Sequence, residues 1–517
     1  MTPALAPLRT DRVSVLLRPE ILVLLLPALA KLLLHLFAIN GYGIHGDELY
    51  YIACSDHMDW GYVDHPPLSI FILHLQRLIS GDSLLYIRLL PALAGSCTVV
   101  LTGLLARRMG AQLFGQLLAG ICALVAPAYL AVDHFYSMNA FDILFWLIAV
   151  YLMIAILDGG KPTLWLWLGL VMGLGLQNKI SVLFLGFGIV VGLLMTKQRR
   201  LFLSPWPWLG ALIAIALMIP NILWQMNHGW PTPEWIGNAR ANKMVALSFP
   251  AYLSQQLILM QPLTVFVWGT GLCFLLLHSA VDRYRSLGWC YLAVLAVFVV
   301  QGGKPYYLIP MYPVLFAAGG IAFERWLTKK WTKVAVALIL LGFGAMTAPL
   351  GMPLLPVENF ISYSTALGLH ASSGERHAEG RLPDLFANMF GWQKLTALVD
   401  SVYRGLPTED QARCGIFCQN YMQAGAIDFY GRHYHLPAAI SGHNNYWLWG
   451  PRGYSGDVMI VLGSSEATLQ KYFDEVTESA RFHDEYVQPG LKGLRIFVVR
   501  KPKASVTMMW PGIKVYD

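Results

Sequence analysis

Charged side chains are scarce in this sequence. Asp, Glu, Lys and Arg together make up only 13% of its 517 residues, whereas 56% of the residues are hydrophobic. Soluble domains carry about 25% charged residues, so this scarcity excludes a chain that is soluble throughout. The apolar excess must face something other than water, and a lipid bilayer is the simplest environment that satisfies it.

Cysteine is also rare, with seven residues in the whole chain. Four of them lie inside apolar runs, where a thiol packs as a small apolar side chain: Cys97, Cys122, Cys273 and Cys290. Cys414 and Cys418 lie on or beside one predicted strand, and their Cα atoms would be about 13 Å apart in an extended chain. We predict no disulfide, and only a bend between these two residues would allow one.

No small-residue cleavage site follows the first apolar run, which leads directly into a charged loop. We therefore interpret this run as a retained span and not as a signal peptide. Cutting the chain at charges and Gly/Pro clusters leaves about eleven runs that are long enough to cross a bilayer as helices. The predicted spans are 16–39, 84–106, 111–131, 139–158, 163–177, 180–196, 206–225, 262–280, 286–301, 306–324 and 332–350.

Basic residues are distributed unevenly between the loops. A cytoplasmic N-terminus would put the following on one side: Arg9, Arg12, Arg18, Arg107, Arg108, Lys161, Lys197, Arg199, Arg200, Arg283, Arg285, Arg325, Lys329, Lys330 and Lys333. The opposite loops before residue 351 hold only Arg77, Lys179, Arg240, Lys243 and Lys304. Because basic loops stay in the cytoplasm, we predict a cytoplasmic N-terminus in a bacterial inner membrane. This topology accounts for the net charge of +7, which is therefore no argument for nucleic acid.

The composition turns polar after residue 350, and no further apolar run long enough to span a bilayer follows. An odd number of spans places this tail outside. Strands are predicted at 415–419, 457–463 and 494–499, and helices at 393–402 and 466–476. We predict a transmembrane domain over 1–350, with its first outside loop at 40–83, and an extracytoplasmic α/β domain over 351–517.

The first outside loop is dense in carboxylates, imidazoles and aromatic rings. It reads Gly-Ile-His-Gly-Asp-Glu-Leu-Tyr-Tyr over 43–51 and Asp-Trp-Gly-Tyr-Val-Asp-His-Pro-Pro-Leu over 59–68, and a short amphipathic helix is predicted over 66–80. Carboxylates accept hydrogen bonds from sugar hydroxyls, and a desolvated Asp can take the proton of an attacking alcohol. An isolated Asp-Glu pair is usually a surface turn, but this pair follows directly on a span. We predict a sugar site at the membrane surface.

The same loop also offers oxygen and imidazole donors of the kind that bind divalent metals: His45, Asp47, Glu48, Asp56, His57, Asp59, Asp64 and His65. No pair of these residues has a spacing that is diagnostic of a metal site. We predict no cofactor, and a divalent metal is the less favoured alternative.

Arg88, Lys179 and Lys304 each lie at the outer end of a predicted span, where a charge is costly unless it is paired. A lipid-linked phosphate is a fitting partner, since Arg binds phosphate bidentately and Lys binds it as a point charge. Both would stabilise the charge on a departing polyprenyl phosphate. The alternative is that each side chain only extends to the membrane interface.

Blocks 46–51 and 61–68 together resemble the first outside loop of the GT-C membrane glycosyltransferases related to protein O-mannosyltransferases and the lipid A aminoarabinose transferase. The family pattern is an acidic pair, Tyr-Tyr, and then Gly-Tyr-Phe-Asp-His-Pro-Pro-Leu, with Val63 here in place of Phe. Segments 86–91, 173–180, 221–231 and 304–313 also resemble family segments. The resemblance extends over most of 15–350, and the tail adds no activity.

This resemblance implies a polytopic α-helical fold and an inverting transfer of a sugar from a polyprenyl-phosphate donor to an outside acceptor. It implies that Asp47 is catalytic. Residues expected to bind substrate are Glu48, Tyr62, Asp64, His65, Arg88, Asn139, Asp142, Lys179, Lys304, Tyr306 and Tyr307. Asn139 stands where the family commonly has Asp, and Asp142, on nearly the same helix face, is the candidate to supply that charge.

Two function classes follow from these observations. The first is a glycosyltransferase whose acceptor is a lipid, a glycan or a protein. The second is a transporter or flippase of lipid-linked sugars, which would also need many spans, phosphate-binding cations and aromatic contacts, but near the bilayer midplane. The polar residues gather at the outer ends of the spans, and Lys31 is almost the only mid-span charge. We therefore favour the transferase, and a non-enzymatic scaffold would leave the loop cluster unexplained.

Overall fold

The computed structural model describes residues 19–245, 247–369 and 380–517. Three of the arginines used in the orientation prediction, Arg9, Arg12 and Arg18, lie outside the described residues. The start of the first predicted span, at residue 16, does so as well.

Most of the described chain is helical. Seven stretches in the described ranges are long and apolar enough to cross a membrane: Pro19–Ala38, Leu84–Arg108, Met138–Leu157, Trp206–Asn227, Ser279–Gln301, Pro305–Trp326 and Lys330–Leu350. Two further pairs of consecutive helices are together long and apolar enough, but each pair is bent at a break. They are Val182–Leu194 with Lys197–Leu203, bent by 112°, and Phe249–Leu259 with Pro262–Leu277, bent by 106°. A multi-pass helical membrane protein is therefore confirmed, with seven to nine spans by length and composition in the described ranges.

Two of the predicted spans are shorter in the structure than a bilayer crossing requires. The run at 163–177 folds as the 15-residue helix Leu164–Asn178. The run at 111–131 is divided into Leu113–Val125 and Pro127–Val132, because Ala126 takes an extended conformation before Pro127. The helices of the described residues therefore give seven to nine spans, fewer than the eleven that the hydrophobic runs predict.

The helices of the bundle pack closely. A Cβ added at Gly169 would lie 2.1 Å from the carbonyl oxygen of Gly210, so these two glycines let Leu164–Asn178 approach Trp206–Asn227 directly. Lys31 is buried inside the bundle and its Nζ lies 2.6 Å from Oδ2 of Asp133. The mid-span charge is therefore neutralised within the protein, as intramembrane charges generally are.

Two short helices lie in the segment between the first two long helices, Gly46–Asp56 and Leu68–Ser80. Leu68–Ser80 matches the predicted amphipathic helix. It buries Ile70 and Leu73 and exposes Leu78 and Ile79. Such a two-faced helix is suited to lying along a membrane surface.

The tail folds around a five-stranded sheet with strand order β2-β1-β3-β5-β4. The strands are β1 Cys414–Cys418, β2 Ala439–Ser441, β3 Val458–Leu462, β4 Phe473–Arg481 and β5 Arg495–Pro502. β1 is parallel to β2 and β3, whereas β5 is antiparallel to β3 and β4. Further helices that do not belong to the predicted spans are Pro231–Asn242, Val357–Ala366, Asp384–Ala387, Trp392–Arg404, Thr408–Gln411, Tyr421–Tyr434, Asn445–Leu448, Glu466–Leu469 and Val506–Met509.

The predicted α/β character of the tail is confirmed, but the helix predicted over 466–476 is wrong. The helix ends at Leu469, and Phe473–Arg481 instead forms an edge strand paired with β5. Pairing with the next strand of the chain, β5, overrides the local helical preference of residues 473–476. Cys414 and Cys418 are the two ends of the straight strand β1, and both thiols are free.

One hydrophobic core joins the tail to the first loop. Leu49, Tyr50 and Ile52 of the loop helix pack in the same cluster as Ile416 of β1 and Ile460 of β3. The helix Tyr421–Tyr434 lies directly against the helix Gly46–Asp56. The α/β domain is therefore packed onto the loop that carries the predicted site.

Candidate functional site

A cavity of about 370 Å³ lies between the first loop, the ends of several membrane helices and the α/β domain. Seven of the predicted site residues line it: Asp47, Asp64, Asn139, Lys179, Lys304, Tyr306 and Tyr307. The structure thus gathers into one space residues that are up to 260 positions apart in the chain.

Asp47 lies in the first turn of the helix Gly46–Asp56, and its side chain is 35% exposed. Its Oδ1 accepts a hydrogen bond from the hydroxyl of Tyr421 at 3.1 Å. Asp47 is therefore held by protein groups and is also open to the cavity.

His45 caps this helix. Its ring Nδ1 accepts a hydrogen bond from the backbone N–H of Asp47 at 3.1 Å. The backbone N–H of His45 donates to Oε2 of Glu48 at 2.9 Å. Burial lowers the pKa of His45, although the neighbouring carboxylates act against this shift. The ring is therefore neutral near pH 7, which leaves Nδ1 free to accept.

Glu48 and Arg88 do not line the cavity. Arg88 donates to both carboxylate oxygens of Glu48, from Nε at 3.0 Å and from Nη2 at 2.7 Å. Glu48 has 0% and Arg88 1% of the side chain exposed. The sequence prediction placed Glu48 against the sugar and Arg88 against the phosphate, but in this structure each is engaged by the other.

Asp64 lines the cavity, whereas His65 and Tyr62 lie behind it. Oδ1 of Asp64 accepts from the hydroxyl of Tyr50 at 2.9 Å. The His65 ring stacks on Tyr51 at 4.7 Å between centroids, and the Tyr62 hydroxyl donates to backbone carbonyls of its own loop. Burial, and secondarily Asp64, raise the pKa of Tyr50, so its hydroxyl stays protonated and can donate.

Lys179 and Lys304 both line the cavity, and we call this pair its basic wall. Nζ of Lys179 donates to Oδ1 of Asn139 at 2.7 Å and lies 3.6 Å from Oδ2 of Asp142. The ammonium also lies 5.6 Å and 5.3 Å from the ring centroids of Tyr306 and Tyr307. Asn139 and Asp142 thus both orient this lysine, and Asp142 itself is buried behind it.

Arg240, Lys243 and Asp517 also line the cavity. Asp517 lies 3.1 Å from Nζ of Lys243 and 3.0 Å from Nε2 of His443. The hydrogen bond from His443, and next the charge of Lys243, lower the pKa of Asp517 to about 2. This carboxylate is therefore ionised throughout the ordinary pH range.

Sequence reasoning missed the residues that the α/β domain contributes to the cavity, namely Tyr421, Asn444 and Asp517. No motif marks them, and only the packing of the two parts brings them near Asp47. Tyr50 and Tyr51 were part of the recognised block and also line the cavity. Within the described ranges, no group of three or more His, Cys, Asp or Glu side chains is arranged to hold a metal ion.

The chemistry of the cavity follows from two groups of lining residues, an acidic wall of Asp47 and Asp64 and a basic wall of Lys179 and Lys304. One presents the carboxylates Asp47 and Asp64 among tyrosine rings, which suits sugar hydroxyls and proton removal. The other presents the ammonium groups of Lys179 and Lys304, which suit a phosphate. The cavity is therefore suited to a ligand that joins a sugar to a phosphate.

Parts of the sequence match known proteins. Residues 64–224 match the family model "Dolichyl-phosphate-mannose-protein mannosyltransferase". The lipid A galacturonosyltransferase RgtD of Rhizobium johnstonii is 22% identical over 310 residues, which cover 59% of this chain and 65% of that protein. The match thus spans slightly less than two thirds of the relative.

Two crystal structures of ArnT from Cupriavidus metallidurans share the fold. The apo structure superimposes with a TM-score of 0.60 at 15% identity, covering 91% of this chain and 96% of ArnT. The structure bound to undecaprenyl phosphate gives a TM-score of 0.59 and covers 97% of ArnT. This chain therefore shares the fold of ArnT, and parts of its sequence are similar to the mannosyltransferase family model and to RgtD.

Proposed function

We propose that this chain transfers a sugar from a polyprenyl-phosphate donor to an acceptor at the outer face of the bacterial inner membrane. The observation that carries the proposal is that Asp47 and the two lysines Lys179 and Lys304 line one cavity. The related ArnT was solved with undecaprenyl phosphate, and RgtD is named for transfer to lipid A. The ArnT structure is consistent with a lipid-linked donor, the name of RgtD is consistent with a lipid acceptor, and the acceptor class proposed here is a lipid, a glycan or a protein.

The reaction uses the two walls in turn. The carboxylate of Asp47 takes the proton of the acceptor hydroxyl as its oxygen attacks the anomeric carbon. The bond from that carbon to the phosphate oxygen breaks, and its electron pair leaves with the polyprenyl phosphate. Lys179 and Lys304 stabilise the negative charge that the phosphate gains. Attack from the face opposite the departing phosphate inverts the anomeric centre.

An acceptor that is itself an anionic phosphate needs no base. Asp47 would then orient the sugar by accepting hydrogen bonds from its hydroxyls. The aromatic rings of Tyr50, Tyr51 and Tyr306 line the same space and offer apolar faces to the sugar. Both variants of the mechanism use the same residues.

The position of the charges also argues against a transporter. A transporter binds its substrate near the middle of the membrane. The buried charge furthest from the helix ends, Lys31, already forms an ion pair with Asp133. The cavity instead combines the first loop with the α/β domain, so its ligand is held beside a soluble domain and away from the centre of the bundle.

The direct test is sugar transfer from a purified polyprenyl-phosphate donor in nanodiscs. Asp47→Asn preserves size and most hydrogen bonding while removing charge and basicity, and we expect a loss of roughly 100-fold or more. The matched control is Asp474→Asn, because Asp474 is 61% exposed on the α/β domain. Each variant is normalised to protein that gives a wild-type melting curve.

Three outcomes distinguish the assignments. Loss in Asp47→Asn with an unaffected control supports the proposal. Near-wild-type turnover in Asp47→Asn together with loss in Asp64→Asn moves the catalytic role to Asp64. Full activity in both variants means that this cavity is not the catalytic centre, and the flippase alternative becomes the better one.

A further inference from the structure

The α/β domain has no role in the reaction described so far, yet it contacts both acidic segments of the first loop. Its helix Tyr421–Tyr434 begins beside Asp47, and its segment at Asn444 and Asn445 approaches Asp64. We propose that this domain is part of the catalytic centre and that Tyr421 is a positioning residue for the carboxylate of Asp47. This inference rests on the proposed function of Asp47.

The first argument is the contact itself. The Tyr421 hydroxyl donates a hydrogen bond to Oδ1 of the Asp47 carboxylate at 3.1 Å. A hydrogen bond to a charged group is worth more than one between neutral groups. It limits rotation of the carboxylate and leaves its second oxygen directed to other partners. Tyr421 thereby sets which oxygen of Asp47 faces a substrate.

The second argument is that several contacts fix the position of Tyr421 itself. Its ring packs against Tyr50 at 4.4 Å and against His443 at 4.8 Å between centroids. Its backbone N–H donates to Nδ1 of His443 at 3.4 Å, while Nε2 of His443 lies 3.0 Å from Oδ1 of Asp517. A side chain that only filled space would not need this chain of oriented partners.

The third argument is that the same domain also holds the other acid. Oδ1 of Asn445 accepts from the backbone N–H of Val63 at 2.7 Å. The backbone N–H of Asn445 lies 3.4 Å from the Tyr50 hydroxyl, which donates in turn to Asp64. The domain therefore sets the positions of both carboxylates on the acidic wall.

Close packing makes this contact rigid. A Cβ at Gly46 would lie 2.7 Å from Sδ of Met422, and one at Gly425 would lie 2.9 Å from the carbonyl carbon of Leu49. The two helices thus approach at backbone distance at Gly425 and Leu49, and the Met422 side chain packs on the backbone of Gly46. Rigid support of this kind is what a catalytic group requires to keep its geometry.

Tyr421→Phe removes only the hydroxyl and is the informative variant. We expect kcat to fall roughly 10-fold with little change in KM for the donor, since one charge-assisted hydrogen bond is lost. Tyr454→Phe is the matched control, because the Tyr454 hydroxyl donates to the Ala438 carbonyl and does not line the cavity.

A double-mutant cycle decides whether Tyr421 acts through Asp47. Tyr421→Phe in an Asp47→Asn background is expected to cause no further loss, because the carboxylate is already absent. A full additional 10-fold loss there would mean that Tyr421 contacts the substrate directly and would overturn the inference. Wild-type kcat in Tyr421→Phe would overturn it as well, as would an activity loss that merely follows a lowered melting temperature.

The same measurements separate this inference from the proposed function. A wild-type protein without transfer activity, or a fully active Asp47→Asn, contradicts the proposed function. An inactive Asp47→Asn beside a fully active Tyr421→Phe contradicts only the role of Tyr421.

Discussion

The guanidinium of Arg88 holds the carboxylate of Glu48 at two points, with Nη2 2.7 Å from Oε2 and Nε 3.0 Å from Oε1. Arg88 also donates to the backbone carbonyls of Ile39 and Gly43, and Glu48 accepts from the backbone N–H of Tyr136. This buried pair therefore ties the first loop to the helix Leu84–Arg108. It supports the site without facing the cavity.

We expect Arg88→Ala to destabilise the fold by about 3–5 kcal/mol, because it leaves Glu48 buried and unpaired. Unfolding in detergent measures the effect. Arg495→Ala is the control, since Arg495 and Glu478 form a half-exposed pair whose loss costs about 1 kcal/mol or less. Wild-type stability in Arg88→Ala together with a raised KM for the donor would contradict this view and return Arg88 to the phosphate.

Lys179→Ala and Lys304→Ala should each weaken use of the donor. Losing one charge-assisted contact to phosphate costs about 2 kcal/mol, or roughly 30-fold. The dependence of the rate on donor concentration measures this effect, with the acceptor held at saturation. Lys197→Ala is the control, since Lys197 is exposed in the short helix Lys197–Leu203. An unchanged dependence in both variants would remove the two lysines from the donor site.

The cap of the helix that carries Asp47 should depend on pH. Burial lowers the pKa of His45 in the folded state, so the unfolded chain takes up a proton there first as the pH falls. The contribution of neutral His45 to the free energy of unfolding is therefore fully present above the usual His pKa of about 6.5 and is lost progressively below it. Asp47, Glu48, Arg88 and Asp384 are the charged groups that act on His45.

His45→Asn tests this dependence, because Asn caps a helix without titrating in this range. We expect the drop in melting temperature between about pH 7.5 and about pH 5.5 to be smaller in the variant than in the wild type. Equal drops in the two proteins would show that other groups control the acid sensitivity.

Gly425→Ala should disturb the contact between the two helices beside the site. The added Cβ would lie 2.9 Å from the carbonyl carbon and 3.0 Å from the carbonyl oxygen of Leu49, so one backbone has to move. We expect a cost of about 1–3 kcal/mol and a lower kcat, both measured on purified protein. Gly269→Ala is the control, because a Cβ there meets no atom within 4 Å. Equal behaviour of the two variants would argue against tight packing at Gly425.

Orientation can be measured by labelling single cysteines in intact cells with a membrane-impermeant maleimide. The loop charges predict that Gly490→Cys, in the α/β domain, is labelled in intact cells. Lys197→Cys lies at the opposite end of the bundle and should be labelled only after permeabilisation. The reverse pattern would invert the topology and remove the outer-face assignment.

Local sequence was sufficient for the features that depend on local residues. The loop carrying Asp47 and Asp64, the apolar helices and three of the five strands were all predicted from short stretches of the chain. The role of Arg88 was not, because the partner that neutralises it lies 40 residues away. The first residues of the strand Phe473–Arg481 were assigned to a helix, because their own sequence does not show that they pair with the following strand β5.

The hydrogen bond between Asp47 and Tyr421 joins residues 374 positions apart. During synthesis, the first loop emerges long before the helix that bears Tyr421, and contacts of such separation form late because a large loop must close first. The acidic wall is therefore completed only after the membrane helices are in place and the α/β domain has folded against them. A partly synthesised or truncated chain would contain Asp47 and the two lysines but would lack Tyr421, which positions Asp47. We therefore expect such a chain to become active only after the α/β domain has folded.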